Sequence, residues 1–148
     1  MILMAAAKKK TKAKKKEAQS VFRGKRKESI ARASVSKGNG TVRINSTLLS
    51  AIDNKYVREA VSEPLRLAPE VAMQVDISLN VSGGGQMGQA QACRVAVARA
   101  LVGFSGDAAL KGRFVEHDKF LLAEDSRRVE PKKYKGPKAR ARFQKSYR

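Results

Sequence analysis

Cysteine, histidine and tryptophan are almost absent from this sequence. Its 148 residues include one cysteine, Cys93, one histidine, His117, and no tryptophan. A single cysteine excludes an internal disulfide framework and suits a reducing compartment. One cysteine and one histidine are too few to build a metal cluster from these residue types. A Cys–His dyad is disfavoured too, because the pattern around Cys93 predicts a buried helix. We therefore predict no metal site, no catalytic residues and no cofactor.

Long apolar runs are also missing. The opening MILMAAA is followed, not preceded, by lysines, which makes it a poor secretory signal. The other mainly apolar run, VAVARALV from 95 to 102, is interrupted by Arg99 and flanked by Arg94. Both are too short or too charged to span a bilayer. We expect a cytoplasmic protein with no membrane partner.

Acidic residues are scarce at both ends of the chain. The net charge is +19. Residues 1–27 carry eleven Lys or Arg against Glu17 alone, and residues 126–148 carry ten against Glu130 alone, whereas residues 28–125 carry eleven of each sign. We predict a basic N-terminal arm (1–27), a globular domain (28–125) and an extended basic C-terminal tail (126–148). Cationic arms that bury little apolar area bind polyanions, and nucleic acid is the expected partner.

The first half of the neutral part predicts a hairpin and a helix. Residues 29–36 and 41–45 flank the turn KGNG and predict a β-hairpin. A helix is expected over 55–64, capped by Asp53 or Asn54, with Pro64 either ending it or lying just past its last turn.

The second half predicts a strand and two helices. Residues 73–81 alternate between apolar and polar, which predicts a strand with one covered face. A helix over 86–102 is apolar around most of its circumference and belongs against the sheet, with Gly103 as its stop. Ser105 or Asp107 caps a further helical piece, and the acidic pair at 124–125 reads as a solvated segment end. These elements predict two layers, a small sheet with helices on one face.

The junction VSGGGQMGQAQA (81–92) matches the dinucleotide-binding pattern G-x-G-x-x-G through Gly83, Gly85 and Gly88. The preceding strand alternates, whereas that class of enzyme needs an almost continuously apolar strand. The second strand that should end in an acid is missing, and no G-K-[ST] follows. We therefore interpret the glycines as a tight strand-to-helix junction. Its N–H groups at Gly84 and Gly85 are a candidate contact for a phosphate. A nucleotide-binding enzyme using the Gly83–Gly88 loop stays the alternative from another class.

The tail mixes arginine and lysine with aromatic residues. Arginine forks bind phosphates bidentately, and aromatic rings stack on unpaired bases. Three rings stand among the charges: Tyr134, Phe143 and Tyr147. Prolines and a glycine oppose a helix, so the tail should run extended. A charge-driven general nucleic-acid-binding protein is the second alternative.

Four segments carry a family resemblance. They are FRGKRKESIARA (22–33), SGGGQMGQA (82–90), CRVAVARALV (93–102) and RRVEPKKYKGPKARARFQKSYR (127–148). With them the chain resembles the ninth protein of the small ribosomal subunit, and its ending is similar to the archaeal and eukaryotic branch. The resemblance implies an α+β fold: a two-layer α/β sandwich with a small mixed sheet, helices on one face and a left-handed βαβ crossover, like the second domain of the fifth small-subunit protein.

The resemblance also implies a function. It implies a structural, non-enzymatic constituent of the small subunit, bound to ribosomal RNA and neighbouring proteins of the subunit head, with no small-molecule substrate. The tail would reach the anticodon stem-loop of the peptidyl-site transfer RNA with Lys145, Ser146, Tyr147 and Arg148. The residues expected to hold ribosomal RNA are Arg23, Lys25, Arg26, Lys27, Arg127, Arg128, Lys132, Lys133, Tyr134, Lys138, Arg140, Arg142 and Phe143.

Overall fold

A mixed sheet forms one layer of the protein. The computed structural model describes residues 20–146; the first nineteen residues of the predicted N-terminal arm, and Tyr147 and Arg148, lie outside this range. Its strands are Ser20–Arg26 (β1), Ser29–Lys37 (β2), Val42–Ile44 (β3), Thr47–Leu48 (β4) and Val75–Ser82 (β5). They lie in the order β1-β2-β5-β3-β4, with β3 and β5 parallel and the other neighbours antiparallel. The mixed α+β class is confirmed.

The predicted hairpin between residues 29–36 and 41–45 is wrong, because β5 lies between these two strands. The turn KGNG is bound to β5 instead: the Asp76 carboxylate accepts hydrogen bonds from the N–H groups of Asn39 and Thr41, each at 2.9 Å. A turn whose N–H groups are satisfied by a third strand no longer has to bring its own flanking strands together. Local turn chemistry was therefore a misleading guide to strand pairing.

Strand β1 takes the end of the predicted arm into the sheet. It pairs with β2 along its whole length. Gly24 is its buried residue, and a Cβ there would collide with the backbone of the covering helix at Ala92 and Ala96. This glycine lets the strand lie directly against the helix. The alternate, charged positions of β1 then face away from the core.

The core lies between the sheet and a long helix, α3 (Gln86–Ser105). On β5 the apolar residues are buried and their neighbours are not, as predicted for a strand with one covered face. Nine residues of α3 are buried. Gly103 does not end this helix: a Cβ there would meet the ring of Phe22, so the glycine serves packing. The helix ends instead at Gly106, whose φ of 66° is left-handed.

The remaining helices surround α3. Helix α1 (Lys55–Leu67) is capped by Asn54, as one of the two predicted alternatives had it. It does not end at Pro64, which is buried inside the helix. A proline inside a helix lacks the N–H for one hydrogen bond and crowds the carbonyl four residues earlier, and here burial of its ring offsets part of that cost. A short helix, α2 (Pro69–Ala72), follows, and α4 (Ala108–His117) is capped by Asp107, one of the two predicted caps.

Parallel strands β3 and β5 are joined through α1 and α2, which makes a βαβ unit. The left hand of its crossover stays a prediction. None of the helices within residues 20–146 combines the length and apolar character that crossing a bilayer requires.

Candidate nucleic-acid interface

The C-terminal tail starts from a fixed point. The Asp125 carboxylate forms ion pairs with Arg26 of β1, at 3.0 Å, and with Arg127, at 2.7 Å, and it also accepts the N–H of Arg127 at 2.8 Å. The hydrogen bonds from Arg127, together with the charge of Arg26, lower the pKa of Asp125 to about 2. The Asp125 side chain is 9% exposed, so it is not the solvated segment end that the sequence suggested. We call this group of three residues the tail clamp.

Arg99 of α3 holds the segment that leads into the tail clamp. Its Nε donates to the Leu122 carbonyl at 2.9 Å, and its Nη1 donates to the Arg23 carbonyl at 2.6 Å and to Glu124 at 3.2 Å. One guanidinium thus connects α3, β1 and the segment that leads into the tail. Five donors in a planar fork make arginine suited to such a junction.

Arg94 of α3 similarly connects α3 to α1 and to the residue that follows α4. It binds Glu63 at 2.6 Å and Asp118 at 2.9 Å, and its side chain is 12% exposed. Burial alone would lower the pKa of Arg94, but the bonds and charges of Glu63 and Asp118 raise it. Glu63 and Asp118 are therefore paired with Arg94 within the folded domain. Sequence analysis did not identify the roles of Arg94, Arg99 or Asp125; the signal that could have found the arginines is a charge inside an otherwise apolar helix.

Beyond the clamp the tail has neither helix nor strand as far as Ser146. Its two described rings are open to solvent, Tyr134 at 87% and Phe143 at 69%. The middle of the tail forms a loop in which Gly136 packs on the Ala141 carbonyl and Arg142 donates to the Tyr134 carbonyl at 3.4 Å. This arrangement leaves both rings accessible for stacking on bases.

Glu130 is the one acid among the described residues of the tail, and it pairs with Lys133 at 3.2 Å and Arg140 at 3.0 Å. Both pairs are solvent-exposed, and such pairs contribute little to stability. A phosphate can therefore replace Glu130 as the partner of either cation.

The residues predicted to hold ribosomal RNA fall into two groups. Nine belong to the tail: Arg127, Arg128, Lys132, Lys133, Tyr134, Lys138, Arg140, Arg142 and Phe143, and all nine are exposed. The other four are not equivalent. Arg23 and Lys25 point to the face of the sheet opposite the helices, Arg26 belongs to the tail clamp, and Lys27 lies in the β1–β2 turn with a φ of 54°. Of the predicted transfer-RNA contacts, Lys145 and Ser146 are exposed, whereas Tyr147 and Arg148 lie outside the described range.

The glycine junction allows β5, α3 and β2 to pack closely, and it lies beside a groove that we call the glycine groove. Gly83 and Gly84 have φ of 78° and 62°, and the Ser29 hydroxyl donates to the Gly83 carbonyl at 2.9 Å. A Cβ at Gly84 would collide with Ser29, so the glycines let β5 turn into α3 against the start of β2. Arg26, Lys27 and Arg128 line the groove in front of Gly84 and the start of α3, together with one acid, Glu28. The candidate phosphate contact therefore has cations beside it.

The environment of Cys93 makes its thiol unreactive. Cys93 is buried in α3, and burial raises the pKa of its thiol to about 12. The reactive thiolate is therefore a negligible species at neutral pH. Within residues 20–146 no three His, Cys, Asp or Glu side chains are grouped as metal ligands.

Comparisons with known proteins point to one family. The sequence model described as "Ribosomal protein S9/S16" matches residues 24–148, from within β1 to the end of the tail. The chain is similar to "Small ribosomal subunit protein uS9" of Methanothrix thermoacetophila, with 46% identity over 125 residues, which cover 84% of this chain and 95% of that protein. It is also similar to the protein of the same name from Halobacterium salinarum, with 48% identity over 126 residues, covering 84% and 96%.

Proposed function

The chain belongs to the ribosomal protein S9/S16 family, and from that premise we propose that its tail holds ribosomal RNA and reaches the peptidyl-site transfer RNA with its tip. Membership makes it a structural constituent of the small subunit in the cytoplasmic ribosome, not an enzyme. Its general partners are ribosomal RNA and other ribosomal proteins. The site in the subunit head and the anticodon stem-loop as the tip's target belong to the proposal.

The observation that carries the proposal is the tail clamp followed by an exposed basic segment. Asp125 fixes the start of the tail on β1, and the residues after it place cations and two open rings in solvent. Cations neutralise phosphates and rings stack on unpaired bases, which are the two requirements of a segment that passes between RNA strands. Contacts to phosphate position a partner without reading its sequence, and a site that serves every transfer RNA needs that property.

Charge divides the chain into three parts, and we propose the same division with one boundary moved. The RNA-binding tail covers 126–148 as expected from charge, whereas the globular domain covers 20–125 instead of 28–125. Strand β1 is paired into the sheet of this domain, so the basic segment 1–27 ends in folded structure from Ser20 onwards. Basic residues near the end of β1 then lie beside the start of the tail.

The glycine groove is a second, smaller contact within this proposal. Backbone N–H groups at Gly84 and Gly85 precede α3, and the N-terminus of a helix favours an anion. Lys27 and Arg128 line the same groove. We propose that one phosphate of ribosomal RNA binds here, between the folded domain and the tail.

Deletion of residues 144–148 tests the role of the tip. We expect the shortened protein to assemble into small subunits, because the deletion leaves the tail clamp and most of the basic tail in place. The subunits should bind transfer RNA in the peptidyl site more weakly, because Lys145 and Arg148 are lost. Filter binding of transfer RNA to purified subunits measures this effect.

A matched control separates position from charge. The variant K132Q/K138Q also removes two cations but leaves the tip intact, so it should retain more transfer-RNA affinity than the deletion. Unchanged transfer-RNA binding after deletion of 144–148 would show that the tip has no such role.

The charge-only alternative predicts a different behaviour in salt. A protein bound by charge alone dissociates as counterions compete for the phosphates. We expect the native protein to stay with small subunits during sedimentation in moderate salt, because its folded domain adds contacts that are not ionic. Complete release under those conditions would favour the alternative.

A further inference from the structure

The face of the sheet opposite the helices is basic, and no helix or strand within residues 20–146 covers it. We call it the open face; it includes the side chains of Arg23, Arg32, Ser34, Arg43, Ser78 and Asn80. Alternation along each strand puts these residues on the side away from the core, whose members are buried. All three arginines are exposed. Arg32 and Arg43 belong to neither the tail nor the glycine groove.

Two of the arginines are paired in a way that costs stability. Arg23 and Arg32 are directly opposite each other across β1 and β2. Like charges in directly opposed positions destabilise a sheet. Within residues 20–146 neither side chain forms a salt bridge that would offset this repulsion. A local arrangement that opposes folding indicates selection for another purpose, which is binding in a surface of this kind.

Asp76 is the acid that the strand pattern places on this face, and it is already engaged. Its carboxylate accepts the N–H groups of Asn39 and Thr41. These bonds, with that to Thr41 first, lower the pKa of Asp76. The charge of Arg43 lowers this pKa further, so Asp76 offsets part of the charge of Arg43. Within residues 20–146, none of Arg23, Arg32 and Arg43 forms a salt bridge, so most of the positive charge of the open face is available to a partner.

The spacing of the arginines suits an extended polyanion. Arg43 lies opposite Ser78 on β5, and Arg32 lies opposite Asn80. Arg32 and Arg43 are therefore two strands and two residues apart, or about 12 Å, from a strand spacing of about 4.8 Å and a rise of about 3.4 Å per residue. Short polar side chains occupy the space between them, where a shallow depression of about 500 Å³ lies. Such a surface offers donors around a lining that includes the exposed side chain of Val21.

We propose that the open face is a second RNA-binding surface, on which Arg23, Arg32 and Arg43 bind phosphates of ribosomal RNA. This inference rests on the proposed function, because it takes ribosomal RNA as the partner. Charge complementarity favours RNA over a protein, since protein interfaces are centred on apolar and aromatic residues. Residues 1–19 are poor occupants, because they carry seven lysines against one glutamate and are repelled by the same charges.

A pair of double variants tests the affinity. R32Q/R43Q removes two cations from the open face, and K111Q/R113Q removes two exposed cations from α4 as a control. We expect R32Q/R43Q to weaken binding to ribosomal RNA of the subunit head. It should also make the negative slope of log affinity against log salt shallower by about 1.4 to 1.8, since each phosphate contact contributes about 0.7 to 0.9. The control should leave both quantities close to wild type. Circular dichroism establishes that each variant is folded.

Site-directed crosslinking identifies the partner directly. S78C places a thiol at the centre of the open face, and Cys93 is buried, so a photoactivatable reagent labels the new cysteine selectively. In assembled small subunits we expect crosslinks from position 78 to ribosomal RNA. Crosslinks to protein alone, or none, would overturn the inference.

The two proposals fail in different ways. If wild type binds ribosomal RNA but R32Q/R43Q behaves like the control, the open face is not an RNA surface and the proposed function stands. If wild type itself does not bind ribosomal RNA, the proposed function fails, and this inference fails with it.

Discussion

Removing the tail should change the salt dependence of RNA binding by a calculable amount. A chain that stops after Ser126 loses ten basic residues and one acid. Three of the ten are paired within the protein, namely Arg127 with Asp125, and Lys133 and Arg140 with Glu130. Of the other seven, six form no salt bridge within residues 20–146, and Arg148 lies outside that range; we take all seven as cations that contact phosphates. At about 0.7 to 0.9 per phosphate, the negative slope of log affinity against log salt should become shallower by about 5 to 6.

The assay is a titration of fluorescently labelled ribosomal RNA from the subunit head, followed by anisotropy. Between 50 and 200 mM salt, a slope difference of about 5 corresponds to roughly a thousandfold difference in how far affinity falls. The higher RNA affinity of wild type, relative to the shortened chain, should therefore decrease steeply as the salt concentration increases. Near-wild-type circular dichroism is expected for the shortened chain, because every buried residue of the globular domain is retained.

A charge-preserving variant separates the two kinds of tail contact. Y134A/F143A keeps every cation, so its slope should match wild type, while its affinity falls by about 1 to 3 kcal/mol for each ring that stacks on a base. A slope change below about 2 on truncation would refute the reasoning, because most tail cations would then make no phosphate contact. An altered slope in Y134A/F143A would show that the rings hold the cations in place.

Four further predictions concern the folded domain and the clamp. R94M should lower the free energy of unfolding by about 2 kcal/mol in urea titrations, because it leaves two carboxylates without their charged partner. G24V should cost about 1 to 3 kcal/mol in the same assay, because its side chain forces β1 away from α3. Cys93 should react with a thiol reagent slowly in the native protein and rapidly in urea, which a colorimetric time course measures. The pKa of Asp125 is lowered to about 2, so the clamp stabilises the fold above about pH 4 and is lost as pH falls towards 2; the stability difference between wild type and D125N, measured by urea unfolding, should narrow over that range.

Elements set by local periodicity could be predicted from the sequence. The alternation over 73–81 predicted β5 with one covered face, and the apolar helix after the glycines is α3. Elements decided by distant contacts could not. Gly103 looked like a helix stop, but its missing side chain accommodates the ring of Phe22 from β1. The pairing of β2 was also non-local, because its second neighbour comes about fifty residues later in the chain.

Some features of the candidate site could likewise be predicted from the sequence, and others could not. Composition alone predicted a basic tail with aromatic residues, because charge and stacking are properties of residue types. The point at which that tail is held was not predictable, since Asp125 acquires its role only when β1 brings Arg26 beside it. The open face was hidden for a similar reason: Arg23, Arg32 and Arg43 belong to three different strands, and the pairing of these strands places the arginines on one surface.

The position of β5 constrains how a nascent chain acquires its structure. The central strand is made after its neighbours, so residues 20–48 emerge with the inner edges of β2 and β3 unpaired until residue 82 exists. Sheets that depend on such long-range pairing fold slowly, and unpaired edges invite association with other chains. Along the sequence, Leu121 is the last residue of the described core, and its side chain is fully buried. Every residue of the tail is therefore synthesised after the core sequence is complete, so its cations emerge attached to a body that is already able to fold.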